Sequence, residues 1–218
     1  MVSILMPIYN GIEYLPESIN TVMQQDMEAW ELLIGVNGYE KDSEVYKTAE
    51  KYASEKIFVY DFSELRGKSV TLNALIKKAN YDIICLLDVD DMWLSGKLSE
   101  QIAYKDKYDV IGTHCQYFGD SDARPWLYVG ELVEEHFKEI NTIVNSSSMI
   151  VRRGRDIYWD ASWDGVEDYD LWIRLVKQGF TFFNVDSALV LHRIHKDSFF
   201  NTKNNVMSEE LRKLRFNI

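Results

Sequence analysis

Three carboxylates spread over four residues, Asp88, Asp90 and Asp91, close an apolar run at Ile83-Ile84-Cys85-Leu86-Leu87. Asp88 and Asp90 are one residue apart, so on an extended or turning backbone both reach one point, as a hard divalent cation with oxygen ligands requires. Two carboxylates underfill the shell of Mg²⁺ or Mn²⁺, and water and substrate phosphate oxygens are the natural remaining ligands. An isolated Asp-x-Asp is also an ordinary acidic turn capping the next helix; here its place after an apolar strand favours the ligand reading. A second acidic group, Glu167, Asp168 and Asp170, crowds the start of a helix that continues through Leu171, Trp172, Leu175 and Val176. Complementation of the helix dipole accounts for any one of these acids, but three in one turn repel each other.

Cations accompany both groups. Arg66 and Lys68 stand at a helix start, which already favours anions; they read equally well as solvated surface charges. Gly67-Lys68-Ser69 is not a Walker phosphate loop, because position 62, where that loop needs glycine, is Phe62. Near the end, His192 and His195 lie beside Arg193, Lys196 and Ser198, a set able to grip a diphosphate. At i and i+3 on an extended segment the two imidazoles point to opposite faces, so one metal ligand is the most they suggest.

The elements that must position these groups alternate. Apolar runs at 2–6, 30–36, 57–60 and 83–87 read as strands, and 83–87 is continuously apolar, as in a strand covered on both faces. Helical spacing follows residue 12, runs over 44–52, and recurs through Val70, Leu72, Leu75, Ile76 and Ala79. This alternation predicts an α/β fold with a parallel sheet, whose ligands bind beyond the carboxyl ends of the strands. Beyond Trp93 the pattern predicts a helix over 96–108, one or two strands in 109–118 and an extended 126–129. A helix over 131–140 and a strand over 145–151 follow. Two strands follow at 180–185 and 188–191, and a basic amphipathic helix covers 206–216.

With 218 residues the chain suits one domain, and 46% apolar with 27% charged residues is an ordinary globular composition. A net charge of −11 excludes a general nucleic-acid surface, so any phosphate must be met locally. No basic leader and no run of membrane-spanning length is present, and a cytoplasmic location is the expectation. Cys85 and Cys115 lie in apolar stretches without CxxC partners, which predicts buried, reduced thiols.

In chain order these pieces resemble family 2 glycosyltransferases of the GT-A fold, over roughly residues 2 to 198. Residues 2–11, Val-Ser-Ile-Leu-Met-Pro-Ile-Tyr-Asn-Gly, look like the family's opening strand and nucleotide loop, which implies donor contacts from Pro7, Ile8 and Tyr9. Asp88-Val89-Asp90-Asp91 matches the DxD motif, Glu167-Asp168 the ED motif, and Arg193-Ile194-His195-Lys196-Asp197-Ser198 resembles the R-x-H-x-x-S segment. The resemblance implies a mixed, mostly parallel sheet flanked by helices in one domain. Its nucleotide-sugar half is 1–95, its acceptor half 96–200, and a terminal helix covers 203–216.

It further implies Mn²⁺ or Mg²⁺ on Asp90, with Asp88 holding the ribose or the metal and His195 as a metal or diphosphate contact. Asp168 is the implied general base, Glu167 its positioner, and Arg193 and Ser198 diphosphate contacts. Sugar would pass from a nucleotide-diphosphate sugar to an acceptor hydroxyl, on a glycan, with inversion. Two departures bear on the donor. Asn37 stands where many members have a base-reading aspartate, and Thr71-Leu72-Asn73 replaces Ala-Arg-Asn, leaving Lys68 for a cationic role. UDP-sugar is the favoured donor, with GDP- and dTDP-sugars open. The alternatives are a sugar-nucleotidyltransferase, which lacks its glycine-rich basic loop here, and a non-catalytic carbohydrate- or nucleotide-binding domain. Trp93, Trp126, Trp159 and Trp163 are candidate sugar platforms, and Tyr158-Trp159 and Phe199-Phe200 candidate interface residues.

Overall fold

The computed structural model describes residues 1–196 and 204–217, the side chains of 204 and 205 excepted. Its first half is the expected alternation. Strands β1 (Val2–Ile8), β2 (Trp30–Asn37), β3 (Ile57–Phe62) and β4 (Ile83–Leu86) pair in parallel in the order β3-β2-β1-β4. Helices α1 (Leu15–Met23), α2 (Glu44–Glu50) and α3 (Lys68–Leu75) fill the crossovers. The continuous apolar runs follow from burial on both faces: Ile4, Met6, Ile34 and Cys85 join one core layer, while Leu5, Leu33, Ile84 and Leu86 join the other. Each such side chain contributes about 1.5–3 kcal/mol of burial, which holds the strand ends in register at the sheet's carboxyl edge.

Past β4 the sheet becomes mixed. Here β5 (Met92–Trp93), β6 (Val110–Gly119), β7 (Gly130–Leu132), β8 (Met149–Val151) and β9 (Phe182–Ile194) extend the order to β4-β8-β6-β9-β5, with β7 on β9. The β4–β8 and β6–β8 pairs are antiparallel, and the long β6–β9 pair is parallel. Helices α4 (Lys97–Ile102), α5 (Glu134–Glu139), α6 (Glu167–Lys177) and α7 (Asn204–Phe216) cover this half.

Several expectations need correction here. The helix read over 96–108 stops at Ile102, because Tyr104, Lys105 and Lys107 bond three residues back and tighten the chain into turns. Residues 180–191 form one strand from Phe182, not two. The polar Asp186-Ser187 is accommodated where the β6–β9 register shifts around His114, a bulge and not a turn. Hydroxyl-rich 145–148 is not strand: Asn145–Ser147 is a 3₁₀ turn feeding β8. The helix read from 131 starts at Glu134, after β7. Trp159 is 1% exposed and Trp93 2%, so both are core residues and not sugar platforms or interface; Trp126 is 65% exposed. Both cysteines are buried and free. No helix among the described residues is long and apolar enough to cross a membrane.

Candidate active site

The carboxyl edge of β4 delivers Asp88, and a tight turn (Asp91 N–H to Asp88 O, 3.1 Å) carries the chain through Asp90 and Asp91. These acids have three different environments. Asp88 is held by the 145–147 turn: Asn145 Nδ2 donates to both carboxylate oxygens at 3.0 Å, and Asp88 N–H donates to Ser146 Oγ at 3.0 Å. Lys68 Nζ adds an ion pair at 2.7 Å. Asp91 is fully buried and faces the last strand, accepting from Arg193 N–H at 2.9 Å with His192 Nδ1 at 3.0 Å. Burial, the largest influence, disfavours its charge, but the His192 cation together with hydrogen bonds from His192, Ser146 and Arg193 N–H outweighs it and holds the Asp91 carboxyl below the usual range. Burial likewise opposes charge on His192, yet Asp91, Asp90 and Asp88 lift it to about 9, so it is protonated at neutral pH. Asp90 has His195 Nε2 beside it, at 3.1 Å; burial and the charges of Asp91 and Asp88 push its carboxyl up to about 6.

The second acidic group reaches the same edge from the other side of the chain. Gly67, at a φ of 115°, brings the backbone hard against the Asp164 carboxylate, leaving no room for a Cβ. Asp164 Oδ1 then accepts from Ser69 N–H at 2.9 Å, capping α3 from the loop that precedes α6. Asn73 completes the join, exchanging hydrogen bonds with Trp159 O and N at 2.7 and 2.8 Å. The α3 start therefore lies against the α6 start, and Lys68 Nζ sits 3.1 Å from Glu167 Oε1 while bound to Asp88. Burial opposes the Lys68 charge, but Asp88 and Glu167 together hold its pKa well above the ordinary lysine value. One cation thus bridges the two acidic motifs.

Asp168 lies beside that bridge. Its Oδ2 accepts from Asn141 Nδ2 at 3.0 Å and its Oδ1 from Tyr169 N–H at 2.7 Å. Burial, then the Glu167 charge, pushes its carboxyl up to about 7 against the opposing pull of Lys68 and Asn141. A carboxylate that releases its proton near neutrality is matched to general-base work. The third acid of the turn, Asp170, faces inward; it is fully buried and paired with Arg174 at 2.7 Å and Arg215 of α7 at 2.6 Å, which assigns it to helix packing.

The remaining sequence-predicted residues fall as follows. Pro7 and Ile8 are buried in β1 opposite Gly35 and Val36, and what Ile8 offers the site is its carbonyl, which accepts from Asn37 Nδ2 at 3.1 Å. Asn37 is 2% exposed and its Oδ1 has no partner among the described residues. Tyr9 is 56% exposed and leans toward Tyr39, with ring centroids 5.7 Å apart. The Arg193 guanidinium sits over the rings of Tyr14 and Phe118, 4.3 Å from each, donates to Asp90 O at 2.9 Å and pairs with Glu17. Ser198 lies outside the described residues, as do Asp197 and Phe199-Phe200.

Among the described residues no three His, Cys, Asp or Glu side chains form a group that could hold a metal ion. The donor chemistry nevertheless suits a hard cation at Asp90. Its carboxylate and the His195 imidazole are adjacent oxygen and nitrogen donors in a field dominated by acids, whereas the Asp88 oxygens are occupied by Asn145 and Lys68. Asn141, Asn145, Ser146 and the anchoring role of Asp91 were not foreseen. Asparagine and serine in loops carry no spacing signal, and only the fold brings them to the acids.

The model of the family described as glycosyl transferase family 2 matches residues 3–158, well over half of the chain. The chain belongs to glycosyl transferase family 2. It is 27% identical over 209 residues to the putative glycosyltransferase EpsE of Bacillus subtilis, covering 91% of this chain and 74% of the relative. It is 25% identical to the O-antigen biosynthesis glycosyltransferase WbnJ of Escherichia coli, covering 91% and 81%. Among solved structures it is similar to S. aureus TarS 1-349 in complex with UDP-GlcNAc, with a TM-score of 0.75 at 15% identity, over 98% of this chain and 66% of that one. It is also similar to mannosyltransferase PcManGT from Pyrobaculum calidifontis in complex with GDP-Man and Mn²⁺, at a TM-score of 0.67 and 13% identity, over 91% and 58%. The chain therefore spans two thirds or less of the length of these two solved chains. Fold and family agree: this is a glycosyltransferase of GT-A type architecture.

Proposed function

We propose that this family 2 glycosyltransferase moves a sugar from a nucleotide-diphosphate sugar to an acceptor hydroxyl on a glycan, with inversion, aided by Mn²⁺ or Mg²⁺. The observation that carries the reading is the Lys68 bridge, which puts the donor-side acids and the base-side acids around one cation. In the reaction the acceptor hydroxyl oxygen attacks the anomeric carbon and loses its proton to an Asp168 oxygen. The bond from that carbon to the diphosphate oxygen breaks, and the nucleoside diphosphate departs with the electron pair. One base and one displacement suffice, so inversion follows. Glu167 fixes the base turn through Gly165 N–H at 2.6 Å and through Lys68. Asp90 and His195 are the residues that would hold the metal ion, which supplies positive charge to the leaving diphosphate. Arg193 and Lys68 add cations at the same edge, and Asp88 holds Lys68 or the donor ribose.

The donor base reading rests on Asn37. Its Nδ2 is spent on Ile8 O, and its Oδ1, without a partner among the described residues, is an acceptor suited to a base with an imino N–H, as in uracil, thymine or guanine. The test is calorimetric titration of UDP, GDP, dTDP and CDP with and without Mn²⁺, followed by slow hydrolysis of the matching sugar donor. Metal-dependent binding of one diphosphate is expected, UDP first. Absence of binding by all four, with no donor hydrolysis, refutes a working donor site and returns the chain to a carbohydrate-binding role. Structural neighbours complexed with UDP-GlcNAc and with GDP-Man support a nucleotide-sugar donor.

A further inference from the structure

A fully buried lysine lies behind the donor acids with no carboxylate paired to it among the described residues. Lys97, the first residue of α4, is 0% exposed. Its ammonium donates to Gln101 Oε1 at 2.7 Å and rests 4.0 Å from the centre of the Trp93 ring. Burial holds its pKa down, to about 8. An ammonium without a counter-ion is costly to bury, and an apolar chain of the same length would fill the space more cheaply.

What Lys97 touches explains the charge. Gln101 uses its other amide atom, Nε2, to grip Ser147 O at 2.7 Å and Ile111 O at 2.6 Å. Trp93 Nε1 donates to Ser146 O at 2.7 Å. Two side chains in contact with one ammonium thus hold two consecutive carbonyls of the 145–147 turn, the turn whose Asn145 and Ser146 side chains clasp Asp88. An amide has two orientations that exchange its oxygen and nitrogen. A donor at Oε1 selects the one that points Nε2 at the carbonyls.

We propose that Lys97 is a positioning residue for Asp88, acting through Gln101 and Trp93 on the 145–147 turn. It touches no reacting group, and its consequence for donor binding rests on the transferase reading. The test compares wild type, Lys97→Met and Trp93→Phe by amide hydrogen exchange, thermal melting and calorimetric titration of UDP with Mn²⁺. Lys97→Met keeps the volume and removes the charge. It should melt with the wild type while exchange at Asp88 and at 145–148 quickens roughly tenfold and UDP–Mn²⁺ binding weakens roughly tenfold, the usual scale for outer-shell changes. Trp93→Phe keeps the ring and loses the Nε1 donor. It should show the same local signature more weakly, and it carries the test if Lys97→Met fails to fold. Unchanged exchange at those amides, or uniformly faster exchange across the chain, overturns the proposal. Wild type that binds no nucleoside diphosphate would overturn the transferase reading alone, because the exchange comparison still decides the role of Lys97.

Discussion

Asn141 donates its Nδ2–H to Asp168 Oδ2 at 3.0 Å, and its own Oδ1 is buried without a partner among the described residues. The pair fixes the orientation of the proposed base. Asn141→Ala should therefore lower the rate of transfer by roughly tenfold with nucleotide binding unchanged, since the base loses the hydrogen bond that holds it. Rate measurement beside calorimetric titration of the nucleotide checks this; an unchanged rate, or an equal loss of nucleotide binding, would refute it.

Asp168→Asn keeps the shape of the turn and removes the proton acceptor. Transfer should fall by roughly 10²-fold or more, with nucleotide binding close to wild type. Calorimetry beside rate measurement separates the two, and a matching loss of binding would remove Asp168 from the role of base.

Burial and Glu167 lift Asp168 to about 7, so in the free enzyme it is half protonated near neutrality. Transfer measured as kcat/KM should rise with pH below about 7 and level off above it. Stability moves the opposite way. The folded state holds this proton more tightly than the unfolded chain, so the stabilisation is full below the unfolded carboxyl value and is lost as pH rises through about 7. Melting temperature against pH in wild type and Asp168→Asn should differ in slope over that window; identical slopes would refute the assignment.

Asp90→Ala and His195→Ala should each weaken Mn²⁺-dependent UDP binding by roughly tenfold or more while leaving metal-free binding unaltered. Titration with and without the ion reads this directly. Unchanged metal dependence in both variants would show that the cation, if used, sits elsewhere.

Lys68→Met leaves Asp88 and the 5%-exposed Glu167 facing each other without their shared cation. Melting temperature should drop, since an uncompensated buried charge costs about 1–3 kcal/mol or more. Adding Glu167→Gln should restore stability without restoring donor binding. Recovery of both would make Lys68 a purely structural ion-pair partner.

Much of the first half of the chain was legible from periodicity. Val2–Ile8, Trp30–Asn37 and Ile83–Leu86 are buried on both faces, so their apolar runs end where the strands end, and Asp88 is found at the edge that this pattern assigned to it. The second half was less legible because its strands depend on distant partners. Only the pairing with β6 tells a bulge from a turn at Asp186-Ser187. The acids could be named from motif spacing, yet their division of labour could not. Asp91, adjacent to Asp90 in sequence, is sealed inward by His192 and Arg193, and Asn141 reaches Asp168 from a loop with no pattern of its own.

The clasp of Asp91 by His192 and Arg193 joins residues 101 and 102 positions apart, and Asp90 meets His195 across 105. Such contacts close only after most of the chain's conformational freedom has been surrendered. During synthesis the first four strands emerge while the acids at their edge still lack these partners, which follow about a hundred residues later. Completion of this acidic site therefore follows formation of that sheet. Ribosome-bound chains halted before His192 should hold the β1–β4 sheet with an acidic loop that has not yet acquired its final shape.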